Sequence, residues 1–135
     1  MNVLADSAYK FHDSLADAIA NGFEYILIPK NLQLSESVRL AGTEQFVRAN
    51  IVTGANLAAS AIVPSFEYNG TESAFNVTGS DLTVSFTNVN IKAENGTAFS
   101  FDGAATGNTV TLTGGTLTAQ TEVGGNTENN TLTKN

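Results

Sequence analysis

Four acidic residues, Glu67, Asp81, Glu94 and Asp102, are the candidates in this 135-residue chain for paired carboxylate chemistry on a sugar. Glycoside hydrolysis needs two carboxyl groups held roughly 5–10 Å apart around the scissile bond. The internal repeat described below aligns Glu94 with Gln120, so it builds no acidic column there. Asp81 and Asp102 lie near glycines in turn-like sequence, where aspartate commonly hydrogen-bonds to the local backbone. We therefore expect no catalytic pair among them.

The basic residues and the single histidine are equally poor candidates for catalysis. Calcium-assisted proton abstraction from a polysaccharide needs clustered aspartates and a basic residue. The only arginines are Arg39 and Arg48, and the alternating stretch Val38-Arg39-Leu40 indicates that Arg39 points outward. His12 has no nucleophile and orienting group beside it. Because the chain has one histidine and no cysteine, a multi-histidine metal site and a thiolate site are excluded within one chain. With each candidate weighed in this way, we expect no catalytic, cofactor-binding or metal-binding residues.

Alternate threonines form a third candidate surface. Thr109, Thr111 and Thr113 alternate with apolar residues, and Thr111 and Thr113 align with Ser85 and Thr87 in the repeat. This pattern resembles the threonine arrays of ice-binding β-solenoids, although the earlier repeats do not continue it. Solvent-facing β-branched residues on ordinary strands explain the same pattern and are the favoured interpretation.

Charge and hydropathy exclude several classes of partner. The formal net charge is -7, from 6 Lys plus Arg against 13 Asp plus Glu, so we expect no nucleic-acid ligand. The longest apolar run, residues 25–28, is far too short to span a bilayer, and residues 1–10 lack the features of a secretory signal. The sequence therefore predicts one domain made in the cytoplasm, with no membrane association.

An internal repeat is the strongest organising signal. Residues 73–79 match 97–103 at an offset of 24, and residues 83–93 match 109–119 at an offset of 26. Val89 opposite Gly115 is the exception, and a looser earlier copy begins at Phe46 and runs to Phe66. Apolar positions otherwise match apolar positions: Phe75 with Phe99, Val84 with Val110, Phe86 with Leu112, and Ile91 with Leu117. Repeats of this kind bury their apolar faces only by stacking on one another.

The elements predicted around this repeat give an all-β fold. Residues 1–22 hold one short amphipathic helix around Leu15–Ile19, with Phe11 extending its apolar stripe. Phe23–Pro29 and Phe46–Val52 are predicted strands. Residues 23–125 are predicted to form a parallel β-helix (β-solenoid) of about four coils capped by that helix, and residues 126–135 a polar tail. An antiparallel sandwich or barrel of the same strands remains the alternative.

The opening of the chain carries a family resemblance. It has the form D-x-L-x-x-A-I-x-x-G followed by a strand that ends in proline. The matching residues are Asp13, Leu15, Ala18, Ile19, Gly22 and Ile26-Leu27-Ile28-Pro29. This passage resembles the start of pectin-lyase-like right-handed parallel β-helix proteins, especially bacteriophage tailspikes. The resemblance implies a right-handed β-helix from a group that includes polysaccharide lyases, glycosidases and non-enzymatic virion parts.

The function expected from these features is structural. We expect a non-enzymatic bacteriophage virion protein, a capsid decoration, cement or spike-like part, assembled in the host cytoplasm and bound to a major capsid or tail protein. A second end of the stack without a cap predicts association, so a homotrimer is expected. Tyr9, Phe11 and Tyr25 are the candidate contact residues. The alternatives are a polysaccharide-binding or polysaccharide-degrading module, with a groove lined by acids and aromatics, and an ice-binding solenoid.

Overall fold

Fifteen strands make up most of the described chain. The computed structural model describes residues 3–5, 10–12, 19, 25–28, 31–43, 45–48, 50–53, 56–58 and 63–135. The first eight strands are β1 (Val3–Ala5), β2 (Lys10–His12), β3 (Tyr25–Ile28), β4 (Leu32–Leu34), β5 (Val38–Leu40), β6 (Gln45–Arg48), β7 (Asn50–Thr53) and β8 (Asn56–Ala58). The remaining seven are β9 (Ser65–Tyr68), β10 (Ser73–Val77), β11 (Thr83–Thr87), β12 (Asn90–Phe101), β13 (Thr109–Thr113), β14 (Leu117–Gly125) and β15 (Thr131–Lys134).

Parallel pairing joins these strands into three ladders that the chain visits in a fixed order. Ladder A contains β3, β6, β11, β13 and β15, each parallel to the next. Ladder B contains β4, β9 and the first parts of β12 and β14, and ladder C contains β5, β10 and the last parts of the same two long strands. One passage through A, B and C is a repeat: β3-β4-β5, β6-β9-β10, β11-β12 and β13-β14, with β15 opening another passage. The predicted all-β class with parallel sheets is confirmed.

The register between repeats matches the one predicted from the sequence. Phe75 pairs with Phe99 on ladder C, and Phe86 pairs with Leu112 on ladder A. The looser first copy is also in register, because Phe46 pairs with Phe86. All of these pairings are parallel, so the alternative of an antiparallel sandwich or barrel is wrong for these strands.

The inward side chains form a continuous apolar core with aromatic rings at its centre. Phe46 stacks on Phe86 with ring centroids 4.7 Å apart and planes 17° apart, and Phe75 stacks on Phe99 at 5.6 Å and 23°. Phe66 stands edge-on to Phe46 at 5.6 Å. All five rings are fully buried. Burying a side chain of this size contributes about 1.5–3 kcal/mol. A one-residue slip between repeats would move these rings to the outward side and lose that contribution, so their burial favours the observed register.

Asparagines hold one corner of the stack together. Asn108, which is 2% exposed, lies between ladder C of the third repeat and ladder A of the fourth. Its Oδ1 accepts a hydrogen bond from the backbone N–H of Leu82 at 3.0 Å, and its Nδ2 donates to the carbonyl of Gly79 at 2.9 Å. The same Nδ2 also donates to Oδ1 of Asn130 at 2.9 Å. These bonds satisfy backbone groups that strands leave unpaired at a corner.

The one mismatch in the repeat, Gly115 opposite Val89, has a steric cause. A Cβ at Gly115 would collide with the backbone carbonyl oxygen and carbon of Val89. A side chain at this position would therefore push the two repeats apart. Glycine allows the close approach that in-register stacking needs at this corner.

The beginning of the chain differs in part from the sequence prediction. The predicted helix lies outside the described residues except for Ile19, which is half-buried and packs against the core. Phe11 does not extend a helical stripe, since it lies in β2 opposite Leu4 of β1. The antiparallel pair β1–β2 continues ladder A beyond β3, because the free edge of β3 offers hydrogen-bonding partners to β1.

In the described part of the chain, no helix has the length and apolar character needed to cross a bilayer.

Two further segments differ from their predicted structure. Residues 46–52, predicted as one strand, contribute to both β6 and β7, and β7 leaves the ladders to form a separate antiparallel hairpin with β8. The segment 126–135, set apart as a polar tail, contains β15, which pairs in parallel with β13. Ladder A therefore reaches almost to the end of the sequence.

Candidate functional site

The four acidic candidates are distributed over different strands and corners. Glu67 is half-buried on the outward side of β9, in register with Lys92, and Glu94 is exposed between the two parts of β12. Asp81 and Asp102 are exposed in turns that follow ladder C in successive repeats. Their backbone N–H groups donate to carbonyls of neighbouring repeats at 2.9 Å, those of Thr106 and Val77 respectively. Within the described residues, no group of three or more His, Asp or Glu side chains could hold a metal ion.

Among the basic candidates, Arg39 is the one whose side chain the structure describes. Arg39 is exposed on the outward side of β5, as predicted, and its Nε donates to Oγ1 of Thr78 at 3.0 Å. Arg48 ends β6 and His12 ends β2, and the structure does not describe either side chain.

The aromatic residues divide into a buried group and a group near the start of the chain. Every aromatic side chain that the structure describes is buried, so none of these offers a surface on which a sugar ring could stack. The predicted contact residue Tyr9 lies outside the described residues. Phe11 and Tyr25 lie in β2 and β3 of the same sheet, with β1 between them. The proposed contact roles of these three residues, and the polysaccharide groove, stay predictions.

The outward side of ladder A carries the most regular set of polar side chains in the described chain. We call this set the threonine face. It consists of Thr83, Ser85, Thr87, Thr109, Thr111, Thr113, Thr131 and Thr133. Parallel register arranges them in three columns: Thr83–Thr109–Thr131, Ser85–Thr111–Thr133 and Thr87–Thr113.

Strand alternation explains why these hydroxyls share one surface. In β11 and β13 the intervening residues Val84, Phe86, Val110 and Leu112 point into the core and are buried. The residues between them must then face outward, because successive side chains of a strand alternate. Neighbouring hydroxyl residues are about 4.8 Å apart across the strands and roughly 6.7 Å apart along each strand.

Sequence reasoning found only part of the threonine face. It aligned Thr111 with Ser85 but assigned the end of the chain to a tail, so it missed Thr131 and Thr133. The missed signal is short: Thr131-Leu132-Thr133 matches Thr109-Val110-Thr111 at an offset of 22.

The threonine face is also free of charged side chains. Gln45, half-buried on β6, continues the central column next to Ser85. Lys134, at the end of β15, binds Glu122 of β14 with Nζ to Oε2 at 2.9 Å. By contrast, the outward columns of the other two ladders contain charge: Gln33–Glu67–Lys92–Thr118 on ladder B and Arg39–Asn76–Ser100–Gly124 on ladder C.

The chemistry that this face supports is binding and not proton transfer. Each threonine presents one hydroxyl, which donates and accepts a hydrogen bond, and one methyl group. A grid of such groups can order water or pack against another flat, uncharged surface. It offers no group that titrates near neutral pH.

No protein-family model matches the chain, and no curated protein or solved structure shows significant similarity to it.

Proposed function

We propose that the chain is a short right-handed parallel β-helix that serves as a non-enzymatic structural protein of a bacteriophage virion. The observation that carries the proposal is the parallel register of successive repeats on three ladders, following a sequence that resembles the start of tailspikes. Right-handedness is what the resemblance to pectin-lyase-like β-helix proteins implies. The sequence that resembles tailspikes ends at Pro29, directly after β3, which is the first strand of the first passage. The resemblance and the in-register repeats therefore adjoin in the chain.

The side-chain arrangement supports a structural role in preference to an enzymatic one. The buried rings of Phe46, Phe66, Phe75, Phe86 and Phe99 and the corner bonds of Asn108 stabilise a rigid body. The candidate acids are distributed over β9, β12 and two turns. A densely packed body with few charged residues suits a decoration, cement or spike-like part that is bound to a capsid or tail protein, as a homotrimer.

The test is whether the protein is present in purified phage particles. Particles from lysates of the bacterium that carries the gene are banded in a density gradient and probed with antibody raised against the purified chain. We expect the chain to band with the particles and immunogold label to lie on their surface. Absence of the chain from infectious particles, with the chain abundant in the rest of the lysate, would overturn the proposal.

Ice binding is the second candidate, and the threonine face favours it. Three strands carry hydroxyl residues in two complete columns and a third that spans two strands, which extends the array beyond the part visible in the sequence. The test is thermal hysteresis of the purified protein, with Thr111→Lys as the variant expected to abolish it. Equal melting and freezing points for the wild-type protein would eliminate this candidate.

A further inference from the structure

Two identical tripeptides at one corner of the stack carry the chemistry of a spontaneous modification. Asn69-Gly70-Thr71 and Asn95-Gly96-Thr97 lie between ladders B and C in the second and third repeats. The structure places them in different backbone environments. We infer that Asn69 is a deamidation site of the folded protein and that the strand containing Asn95 protects that residue. The inference does not depend on the proposed function.

Deamidation joins an asparagine side chain to the backbone nitrogen that follows it. The nitrogen of Gly70 attacks Cγ of Asn69, the N–Cγ bond forms, the Cγ–Nδ2 bond breaks, and Nδ2 leaves with the proton of that nitrogen as ammonia. Water then opens the succinimide ring at Cγ to give aspartate, or at the main-chain carbonyl carbon to give isoaspartate. The net change consumes one water and releases one ammonia. Glycine favours ring closure because it has no Cβ to obstruct the ring and adopts many backbone angles.

The surroundings of Asn69 permit this reaction. Its side chain is exposed, and residues 69–72 connect β9 to β10 outside any strand. Within the described residues, neither the Asn69 side chain nor the backbone amide of Gly70 makes a hydrogen bond. The side chain and backbone can therefore rotate towards ring closure without breaking a described hydrogen bond of either group.

The surroundings of Asn95 oppose it. Asn95 lies within β12, and the Gly96 that follows it is buried. A Cβ at Gly96 would come within 2.5 Å of the carbonyl oxygen of Glu72 and 2.8 Å of that of Gly70, so its backbone packs closely on the preceding repeat. The Thr97 N–H donates to the same Glu72 carbonyl at 2.8 Å. Ring closure at Asn95 therefore requires this part of β12 to open locally, which costs free energy.

The isoaspartate product would disturb the same contact. Isoaspartate at position 69 routes the main chain through Cβ and Cγ, so the connection between β9 and β10 becomes one atom longer. This connection contains the Gly70 and Glu72 carbonyls, which leave no room for a Cβ at Gly96. We expect the isoaspartate form to unfold at a lower temperature than the unmodified protein. The aspartate form changes only an exposed side chain, so its stability should stay close to that of the unmodified protein.

The experiment compares the two asparagines within one chain, folded and unfolded. The purified chain is incubated at mildly alkaline pH, in buffer and in guanidinium chloride, and then digested with trypsin. Cleavage after Arg48 and Lys92 places Asn69 and Asn95 in different peptides, 49–92 and 93–134. Mass spectrometry with electron-transfer fragmentation locates each converted amide and distinguishes isoaspartate from aspartate. The variants Asn69→Gln and Asn69→Asp are incubated in parallel.

We expect similar rates for the two asparagines in denaturant, since Gly-Thr follows both. In the folded protein Asn69 should react more than about tenfold faster than Asn95, because local opening adds to the barrier at Asn95. Equal rates in the folded protein, faster reaction of Asn95, or equal conversion of peptide 49–92 in Asn69→Gln would overturn the inference.

Thermal unfolding of the separated products tests the effect on the corner. The isoaspartate form should show a lower midpoint than the unaged protein, and Asn69→Asp, which has the same added charge on an unaltered main chain, should show an unchanged one. An isoaspartate form as stable as the unaged protein, or an equal loss in Asn69→Asp, would overturn the proposed strain at Gly96.

Discussion

The inward and outward sides of ladder A share one backbone and differ in the size, polarity and burial of their side chains. In β11 and β13 the inward residues are large, apolar and fully or almost fully buried, whereas the outward residues are threonine or serine and stay in part exposed. The inward side fixes which residues stack on which, because a slip by one residue would exchange the two sets. The outward side contributes little to that choice. Sequence change on the outward side can therefore alter binding while the register is retained.

Removing a central ring of the inward side should have the largest effect. Phe86 is fully buried and packs on Phe46, Phe66, Phe75 and Phe99. We expect Phe86→Ala to lower the free energy of unfolding by about 3–5 kcal/mol, through lost burial and the cavity that remains. Urea unfolding followed by circular dichroism measures it. The outward neighbour Ser85→Ala is the control, and similar losses for the two variants would refute the contrast between the two sides.

Breaking the asparagine corner should have the next largest effect. Asn108→Ala leaves the Leu82 N–H and the Gly79 carbonyl without their partner at a buried site, which costs about 1–3 kcal/mol. Asn129→Ala is a matched control, because Asn129 is exposed and its Nδ2 donates to Oδ1 of Asn126. Equal midpoints of urea unfolding for both variants would show that the corner bonds do not stabilise the stack.

The ion pair between Lys134 and Glu122 tests how firmly β15 is held. Both side chains are about half exposed, at 52% and 45%, so a double-mutant cycle on Lys134→Met and Glu122→Gln should give a coupling of about 0–1 kcal/mol. The coupling should decrease when salt is added, because exposed charges are screened. A coupling well above this range that persists in high salt would contradict the expected exposure, because it would mean that the ion pair is shielded from solvent.

The smallest effect on folding is expected for Thr111→Val. Valine keeps the branched shape and strand preference of threonine and removes only the hydroxyl, so the free energy of unfolding of the monomeric unit should change by no more than about 0.5 kcal/mol. Thermal unfolding at low protein concentration measures this. A large loss would show that the outward hydroxyls belong to the stabilising side of the ladder, contrary to the comparison above.

The parts of the fold that follow from the sequence are those in which inward residues repeat. Phe75 with Phe99 and Val84 with Val110 could be aligned because burial demands apolar residues at equivalent heights, and that demand is visible in one sequence. β15 was missed because Leu132 is its only large apolar residue, so it carries a weak repeat signal. The hairpin β7–β8 was missed because strand preference alone does not show which sheet a strand joins.

The candidate site was predictable only in its residue types. Thr109, Thr111 and Thr113 are recognisable in the sequence as an alternating run. A face needs several strands side by side, and the order of the strands is set by their pairing. The separation of the acidic residues was predictable in part, since the turn positions of Asp81 and Asp102 follow from neighbouring glycines. The contrast in charge between ladder A and the other ladders emerges only when the columns are assembled in space.

The hairpin β7–β8 shows where this architecture accepts additional sequence. Residues 49–64 separate β6 from β9, yet β6 still pairs with β11 and β9 still pairs with β12 on either side of them. The connections between successive strands from β9 to β15 are much shorter than this segment, so this corner is the natural point for grafting a foreign peptide or replacing one loop with another. A chain of this kind can thus acquire new surface loops during evolution or engineering while its stacked body stays unchanged.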